Sequence, residues 1–346
     1  MPERVKAVAM VSGGLDSTLA VQLMVNQGIQ VFGITFTTGF CYEDPRRPEK
    51  RGQKDQREKN EALRAGRQTQ TPVEFRDISE EYIKSVLIHP KHGYGSAINP
   101  CIDCRIFMLK KAHLYMQEIG AQFIVTGEVL AQRPMTQHFK TLRLIEKEAG
   151  LEGLIVRPLS GKLLPPTIPE KEGWIDREKL EAISGRSRHR QMALAKELGI
   201  NEYPQPAGGC CYLTDQNYAR RLRDLFRYRD KESLTLNDML LLKAGRHFRV
   251  SPTLKVIVGR DELENNFLQN FSPGRWVFEA VDVSGPLVLA EGDVSETDIP
   301  VVAAITARYS DGKNWPKVEV TYRKDDFSGK IAVEPIKNGT LDAWRL

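Results

Sequence analysis

No run of apolar residues in this 346-residue chain approaches the roughly 18 needed to cross a bilayer. The start lacks the basic n-region, apolar h-region and small-residue cleavage site of a secretory leader. Glu3 is followed instead by strand-like VKAVAMV, so a cytoplasmic, membrane-free protein is the expectation. Cysteine is scarce and odd in number, five in all (Cys41, Cys101, Cys104, Cys210, Cys211), which argues against a disulfide framework. No G-x-x-x-x-G-K-[ST] loop and no G-x-G-x-x-G fingerprint occurs, so neither a Walker A site nor a dinucleotide fold is indicated. Internal repeats are absent. Charge of neither sign dominates: 50 Lys and Arg face 45 Asp and Glu, a net of +5 that is compatible with nucleic acid without requiring it.

What is present begins almost at once. VAMVSGGLDSTLAVQLM (8–24) reads as a buried strand, a Gly-Gly turn and a helix, and IQVFGITF (29–36) as a second strand. Strand–helix–strand implies a parallel sheet with helices on its faces. Further strands are predicted at 73–78 and 121–130. Helices are predicted at about 54–67, 79–90 and 105–119, and two more within 176–200. The Pro/Gly-rich stretch 158–173 reads as a surface loop or boundary. Beyond about 210 the character changes. Basic residues outnumber acids from 216 to 260, and strand-like LKVIVG, RWVFEAVDV, PLVLAEG, VVAAITARYS and KVEVTYR follow. The reading is an α/β domain with a Rossmann-like parallel sheet over residues 1–205 and a smaller α+β domain over 206–346.

The loop Ser12-Gly13-Gly14-Leu15-Asp16-Ser17 has a physical use. Glycines let backbone amides turn toward an oxyanion, and the following helix N-terminus adds its positive end. Ser12 and Ser17 offer hydroxyls. Asp16 would repel a bare phosphate but fits one bridged by Mg²⁺. The bland alternative is a tight strand-to-helix turn with an N-cap. NPCIDC places Cys101 and Cys104 on a turn before a helix, whose dipole favours thiolates. Two core thiols or half of a zinc site remain open readings. PAGGCCYLTD supplies further thiols on a Gly-rich loop; three thiolates suit an iron–sulfur cluster with one exchangeable iron, or a pair passing a persulfide. TGEVLAQRPMTQ starts at a strand's carboxyl end, where ligands bind in open sheets. Gly127, Glu128 and Arg133 are therefore candidates there, against a salt-bridged loop. RRLRDLFRYR sets Arg220, Arg221, Arg223, Arg227 and Arg229 on one helix with Phe226 and Tyr228 between them, a pattern for phosphate contacts or for a solvated face.

SGGLDS resembles the pyrophosphate loop of the ATP-pyrophosphatase superfamily, an adenine nucleotide alpha hydrolase-like fold. HGYGSAINPCIDCR, TGEVLAQRPMTQ, GRSRHRQMALAKELGI and PAGGCCYLTD together resemble its tRNA-thiolating members, related to the 4-thiouridine and 2-thiouridine synthases. The tail is similar to the NFACT-type RNA-binding domain. The resemblance implies ATP and Mg²⁺ at Ser12, Gly13, Gly14, Asp16 and Ser17, with adenine near Thr35 and Phe36. It implies a [4Fe–4S] cluster, or zinc in its place, on Cys101, Cys104 and Cys211. It implies uridine adenylation followed by sulfur transfer, with tRNA and a sulfide or persulfide donor as partners, and a homodimer is compatible. Counting back from Leu-Thr-Asp selects Cys211 and leaves Cys210 extra; Cys41 matches no motif. Arg186, Ser187 and Arg188 are candidates for phosphates of ATP or tRNA. The rivals are a pyrophosphate-loop ligase with an amine nucleophile and a zinc site, and a non-catalytic nucleotide-sensing RNA-binding protein.

Overall fold

Lys6–Met10 is a short strand whose three central residues are buried, as a strand covered by helices on both faces requires. It is the middle of a five-stranded, all-parallel sheet in this computed structural model, which describes residues 4–42, 44, 46–48, 61–204 and 210–346. The strands are β1 (Lys6–Met10), β2 (Gln30–Thr37), β3 (Val73–Asp77), β4 (Phe123–Thr126) and β5 (Ile155–Val156), in the order β3-β2-β1-β4-β5. The helices of this part are α1 (Leu15–Val25), α2 (Glu61–Thr69), α3 (Ser79–Tyr82), α4 (Cys101–Glu118), α5 (Phe139–Ala149), α6 (Ile168–Lys171) and α7 (His189–Glu197). Alternation along β1 divides the core. Ala7 and Ala9 face α1 and α7 through Leu15, Leu19, Leu194 and Ala195. Val8 faces α4 and α5 through Ile106, Leu109 and Ile145. The strand order reverses beside β1, so the carboxyl ends of β1 and β4 open onto the crevice where such sheets bind ligands.

The chain divides into two compact units, 1–43 with 57–210, and 44–56 with 211–346. The second contains α8 (Gln216–Tyr228), α9 (Leu236–Leu241), β6 (Arg246–Ser251), β7 (Leu254–Val258), α10 (Glu262–Gln269), β8 (Trp276–Ala280), β9 (Val288–Gly292), α11 (Ile299–Tyr309), β10 (Val318–Lys324), β11 (Phe327–Val333) and α12 (Asn338–Trp344). Its sheet is antiparallel, in the order β11-β10-β8-β9-β7-β6. One face packs on α11 through Phe248, Val256, Val302 and Ile305. The other packs on α9 and α10 through Leu240, Ile257, Leu268 and Leu289.

Several local readings differ from this structure. VVAAITARYS, rich in β-branched residues, is helix α11 rather than a strand. Pro300 sits in its first turn, and Val302, Ile305 and Thr306 form a buried helical stripe. The predicted helix at 79–90 is one α-turn, Ser79–Tyr82, followed by a π-helical turn, Ile83–Leu87. The first helix predicted within 176–200 is only the 3₁₀ turn Arg177–Lys179. Helix α4 starts at Cys101, four residues before its prediction, because Pro100 serves as its N-cap and the C-x-x-C forms its first turn. Helices α5, α6, α9, α10 and α12 and strands β5, β6 and β11 went unpredicted. The start of the helix predicted at 54–67 lies outside the described residues.

Candidate nucleotide and thiol site

The Ser12–Ser17 loop turns on Gly13, whose φ of +77° is left-handed backbone. A Cβ there would also collide with the backbone of Glu61 at the start of α2. From the other side Arg64 Nη2 of α2 donates to the Gly13 carbonyl at 3.1 Å. Ser17 Oγ and Thr18 Oγ1 both donate to Gly14 O, at 2.9 and 3.1 Å, and Ser12 Oγ lies 3.3 Å from Ser17 Oγ. Among the described residues the amides of 13–17 have no backbone acceptor, as the first turn of a helix leaves them. This is a preformed anion cradle at the end of β1.

Asp16 is the acid of that cradle. Its Oδ2 accepts from Gln132 Nε2 at 3.0 Å, while Oδ1 is buried and has no hydrogen-bond partner. Burial raises its pKa, opposed by Gln132, Arg188, Arg133 and Gln191 around it. A buried carboxylate oxygen with no donor at full hydrogen-bond geometry fits a hard cation, which takes oxygen ligands. Asp16 Oδ1 and the free amides of 13–17 would therefore hold Mg²⁺ and a polyphosphate.

The segment after β4 is pinned against this loop. A Cβ on Gly127 would lie 2.5 Å from Ser17 N and 2.6 Å from the Asp16 carbonyl carbon, so its missing side chain serves the packing of β4 on the loop itself. Leu130 bridges to Ser184, and its carbonyl accepts from Gly185 N at 2.8 Å, which ties the 184–188 turn to the 130–133 turn. That is how Arg133 and Arg188, far apart in sequence, both reach Asp16. Arg186 is exposed. Thr35 Oγ1 donates to Val11 O at 2.6 Å, and the Phe36 ring is packed in the core. Adenine near these two would therefore contact backbone.

Glu128 faces inward. Its Oε1 accepts from Arg105 Nε at 2.7 Å and its Oε2 from Arg157 Nε at 3.0 Å and Thr126 Oγ1 at 3.2 Å. Burial alone would raise its pKa, but Arg105 and Arg157 overcome this and hold it at about 2. Arg157 continues the chain of charges to Glu146 on α5. Both carboxylate oxygens are committed to side chains, so Glu128 acts as the anchor of Arg105.

Arg105 follows Cys104 on α4, and Cys104 and Cys210 act electrostatically on its guanidinium. Cys101 Sγ accepts from Asn99 Nδ2 at 3.0 Å. Burial, with Cys210 adding, raises the Cys101 thiol pKa against Asn99 and Arg133. Burial pushes Cys104 up to about 12, with Cys210, Cys41 and Cys101 adding to it. Cys41, without a motif, is thus a neighbour of the pair, and it also contacts Thr38 Oγ1 at 3.6 Å. Cys211 lies in the second unit, where it precedes the 3₁₀ turn Tyr212–Thr214 and acts on Tyr218. Among the described residues no three such groups stand at metal-ligating separations. All five thiols are reduced.

Helix α8 is capped by Asp215, which accepts from Tyr218 N at 2.8 Å. Arg220, Arg223 and Arg227 lie on its exposed face. Arg221 is turned inward, donates to Leu242 O at 2.8 Å, and has its pKa lowered to about 10 by burial and by Arg260. Arg229 lies just beyond the helix in extended backbone and pairs with Asp238 at 3.3 Å. The five arginines therefore share one segment but not one face. Tyr228 stacks under Arg249, 4.4 Å from its ring centre, and Phe226 under Lys231 at 5.1 Å.

Comparison with known proteins follows the same division. Residues 3–163 match the family model for the thiamine biosynthesis protein ThiI. Residues 245–345 match that of the NFACT protein RNA binding domain. The chain resembles the pyrophosphate-loop tRNA-thiolating enzymes. Among curated relatives, tRNA-specific 2-thiouridylase MnmA of Clostridium perfringens is 24% identical over 228 residues, 62% of this chain and 57% of that protein. A probable tRNA sulfurtransferase of Thermococcus kodakarensis is 28% identical over 158 residues, 45% of this chain and 37% of that protein. The chain thus spans about half the length, or less, of these relatives. A solved 4-thiouridine synthetase–RNA complex with bound ATP is 21% identical at a TM-score of 0.34, covering 57% of this chain and 52% of that one. The ThiI-matching segment holds the loop, Gly127, Glu128, Arg105 and the C-x-x-C. The NFACT-matching segment starts after α8. Sequence reasoning did not single out Gln132, Gln191, Arg64 or Arg105; their contacts with Asp16, Gly13 and Glu128 exist only in the tertiary structure.

Proposed function

We propose that this protein is an ATP-dependent tRNA uridine sulfurtransferase. The observation that carries the reading is a preformed phosphate cradle, with an unpartnered buried Asp16 oxygen, in the same unit as the Cys101/Cys104 pair. The matches to ThiI and to an RNA-binding domain, and relatives named for tRNA thiolation, support it. ATP would sit on Ser12–Ser17 with adenine near the backbone of Thr35 and Phe36. A uridine carbonyl oxygen attacks the α-phosphorus, the bond to the β-phosphate oxygen breaks, and pyrophosphate leaves. The loop amides, Arg133 and Arg188 stabilise the charge that accumulates on the leaving group. A sulfur nucleophile then attacks the activated carbon, and AMP departs with the former carbonyl oxygen.

The thiols would present that sulfur. Cys101 and Cys104 lie in the first turn of α4, and Cys210, a further thiol that acts electrostatically on both, is our candidate for the third, with Cys211 as the count from sequence would have it. The all-thiol donor set fits soft iron or zinc rather than magnesium. An iron–sulfur cluster held there would supply an open site for sulfide; a persulfide on one thiol would serve the same end, its outer sulfur attacking the carbon and a second thiol then breaking the S–S bond, which leaves a disulfide. Arg105, anchored by Glu128, would stabilise anionic sulfur. Arg220, Arg223 and Arg227 would contact tRNA phosphates.

The test is anaerobic incubation with ATP, Mg²⁺, sulfide and unmodified tRNA, followed by nucleotide assay and mass spectrometry of nucleosides. AMP, pyrophosphate and a thiouridine are expected in equal amounts. AMP without a thionucleoside favours the amine-using ligase, and tRNA binding with neither product favours the nucleotide sensor. Cys210→Ser is expected to abolish thiolation while Cys211→Ser retains it; the reverse assigns the third thiol to Cys211.

A further inference from the structure

Gln191, on α7, is completely buried. Its amide lies against the Asp16 carboxylate and acts on it as a hydrogen-bond donor, yet neither its nitrogen nor its oxygen has a partner at full hydrogen-bond geometry. A buried amide left unpaired costs about 1–3 kcal/mol for each group. A leucine would fit the same volume without that cost. Three and four residues on, Leu194 and Ala195 pack in the cluster that contains Leu15 and Leu19 of α1, so this face of α7 lies on α1. Gln191 is one turn nearer the N-terminus, on the same face, beside Asp16. Asp16 Oδ1 is likewise buried without a partner at that geometry. Gln132 already occupies Asp16 Oδ2. Arg133 and Arg188 act electrostatically on the same carboxylate. Asp16 Oδ1 and the Gln191 amide, buried against each other and poorly paired, with Arg133 and Arg188 acting on the carboxylate and the free amides of residues 13–17 on the same loop, describe a site completed by something that brings both donors and acceptors.

Resting on the nucleotide reading above, we infer that Gln191 is a ligand-facing residue of that site, beside Arg188, and that the first turn of α7 forms one wall of the site for a bound metal–triphosphate. The amide is suited to this because it can accept from a water on a hydrated divalent cation or donate to a phosphate oxygen. Arg188 then answers the polyphosphate charge. Of the two phosphates its motif left open, this gives Arg188 that of the nucleotide.

The experiment uses the full chain, magnesium and α,β-methylene-ATP, without tRNA or sulfur donor. Calorimetric affinity and thermal unfolding are measured for wild type, Gln191→Leu, Gln191→Met and Arg188→Gln. Wild type is expected to bind and to gain melting temperature. Both Gln191 variants are expected to melt no lower than wild type when free of nucleotide, while binding weakens about tenfold, the equivalent of about 1.4 kcal/mol. Arg188→Gln is expected to weaken nucleotide binding and, in a separate titration with tRNA alone, to bind tRNA as wild type does. A Gln191 variant that melts lower or fails to fold while nucleotide-free makes the residue structural and overturns the inference, as does unchanged nucleotide affinity. Absence of binding to wild type removes the nucleotide reading itself, and the inference with it.

Discussion

At Asp16 the protein keeps a carboxylate where burial opposes its charge. Its folded pKa is raised, so ionisation at neutral pH works against the fold: the contribution is favourable below the usual value of 3.8 and is lost as pH rises above it. Asp16→Asn is therefore expected to unfold at equal or higher urea concentration than wild type at pH 7, while losing the magnesium dependence of nucleotide binding. Lower stability would mean the carboxylate is structural. Glu128 is the opposite case. Arg105 and Arg157 hold it at about 2 against a usual 4.5, so its contribution is full above about 4.5 and disappears as pH falls toward 2. Glu128→Gln leaves two buried guanidinium groups short of a counter-charge, and is expected to cost about 3–5 kcal/mol at pH 7. Its stability should then vary less than wild type between pH 4.5 and 2, measured by denaturant titration at each pH. The thiols separate in the same way. Buried Cys104, pushed up to about 12, should resist alkylation at pH 8, whereas exposed Cys210 reacts. Peptide mass spectrometry of briefly treated protein checks this, and a soft metal ion should protect both.

The elements show which parts of the chain were legible. The first strand–loop–helix could be read because its signals are local: an apolar run, two glycines and a capping environment within seventeen residues. The α11 segment could not. Val, Ile and Thr favour strands as single residues, but Pro300 and a buried stripe of period 3.6 favour a helix laid on the sheet, and the sheet exists only in three dimensions. Helix α8 shows the same limit with charge. Its arginines were counted correctly, but helical geometry sends Arg221 inward and 220, 223 and 227 outward. Replacing those three by Glu is expected to weaken tRNA binding by more than tenfold and to flatten its salt dependence, since each phosphate contact contributes to the slope of about −0.9 per contact on duplex nucleic acid. Arg221→Leu should leave the salt slope as it was. Filter binding over a salt series distinguishes the two, and equal slopes for all variants would remove α8 from the RNA surface.

For the whole molecule, each of the two sheets has cores of its own. The parallel sheet has its own helix layers on both faces, and so does the antiparallel sheet. Two unfolding transitions are expected in calorimetry, and magnesium with α,β-methylene-ATP should raise only the one belonging to the unit with the Ser12–Ser17 loop. A shift of the other transition would place the nucleotide elsewhere.

The sequence by itself determined the parallel sheet, the glycine turn between β1 and α1 and the thiol pair, because each rests on residues close together in the chain, where periodicity and turn chemistry act. Only the tertiary structure decided what surrounds Asp16, which way Glu128 faces, that Cys210 acts on Cys101 and Cys104, and that Gln191 lies buried against Asp16. Those facts depend on burial and on groups brought together from positions scores of residues apart, and no local pattern encodes either.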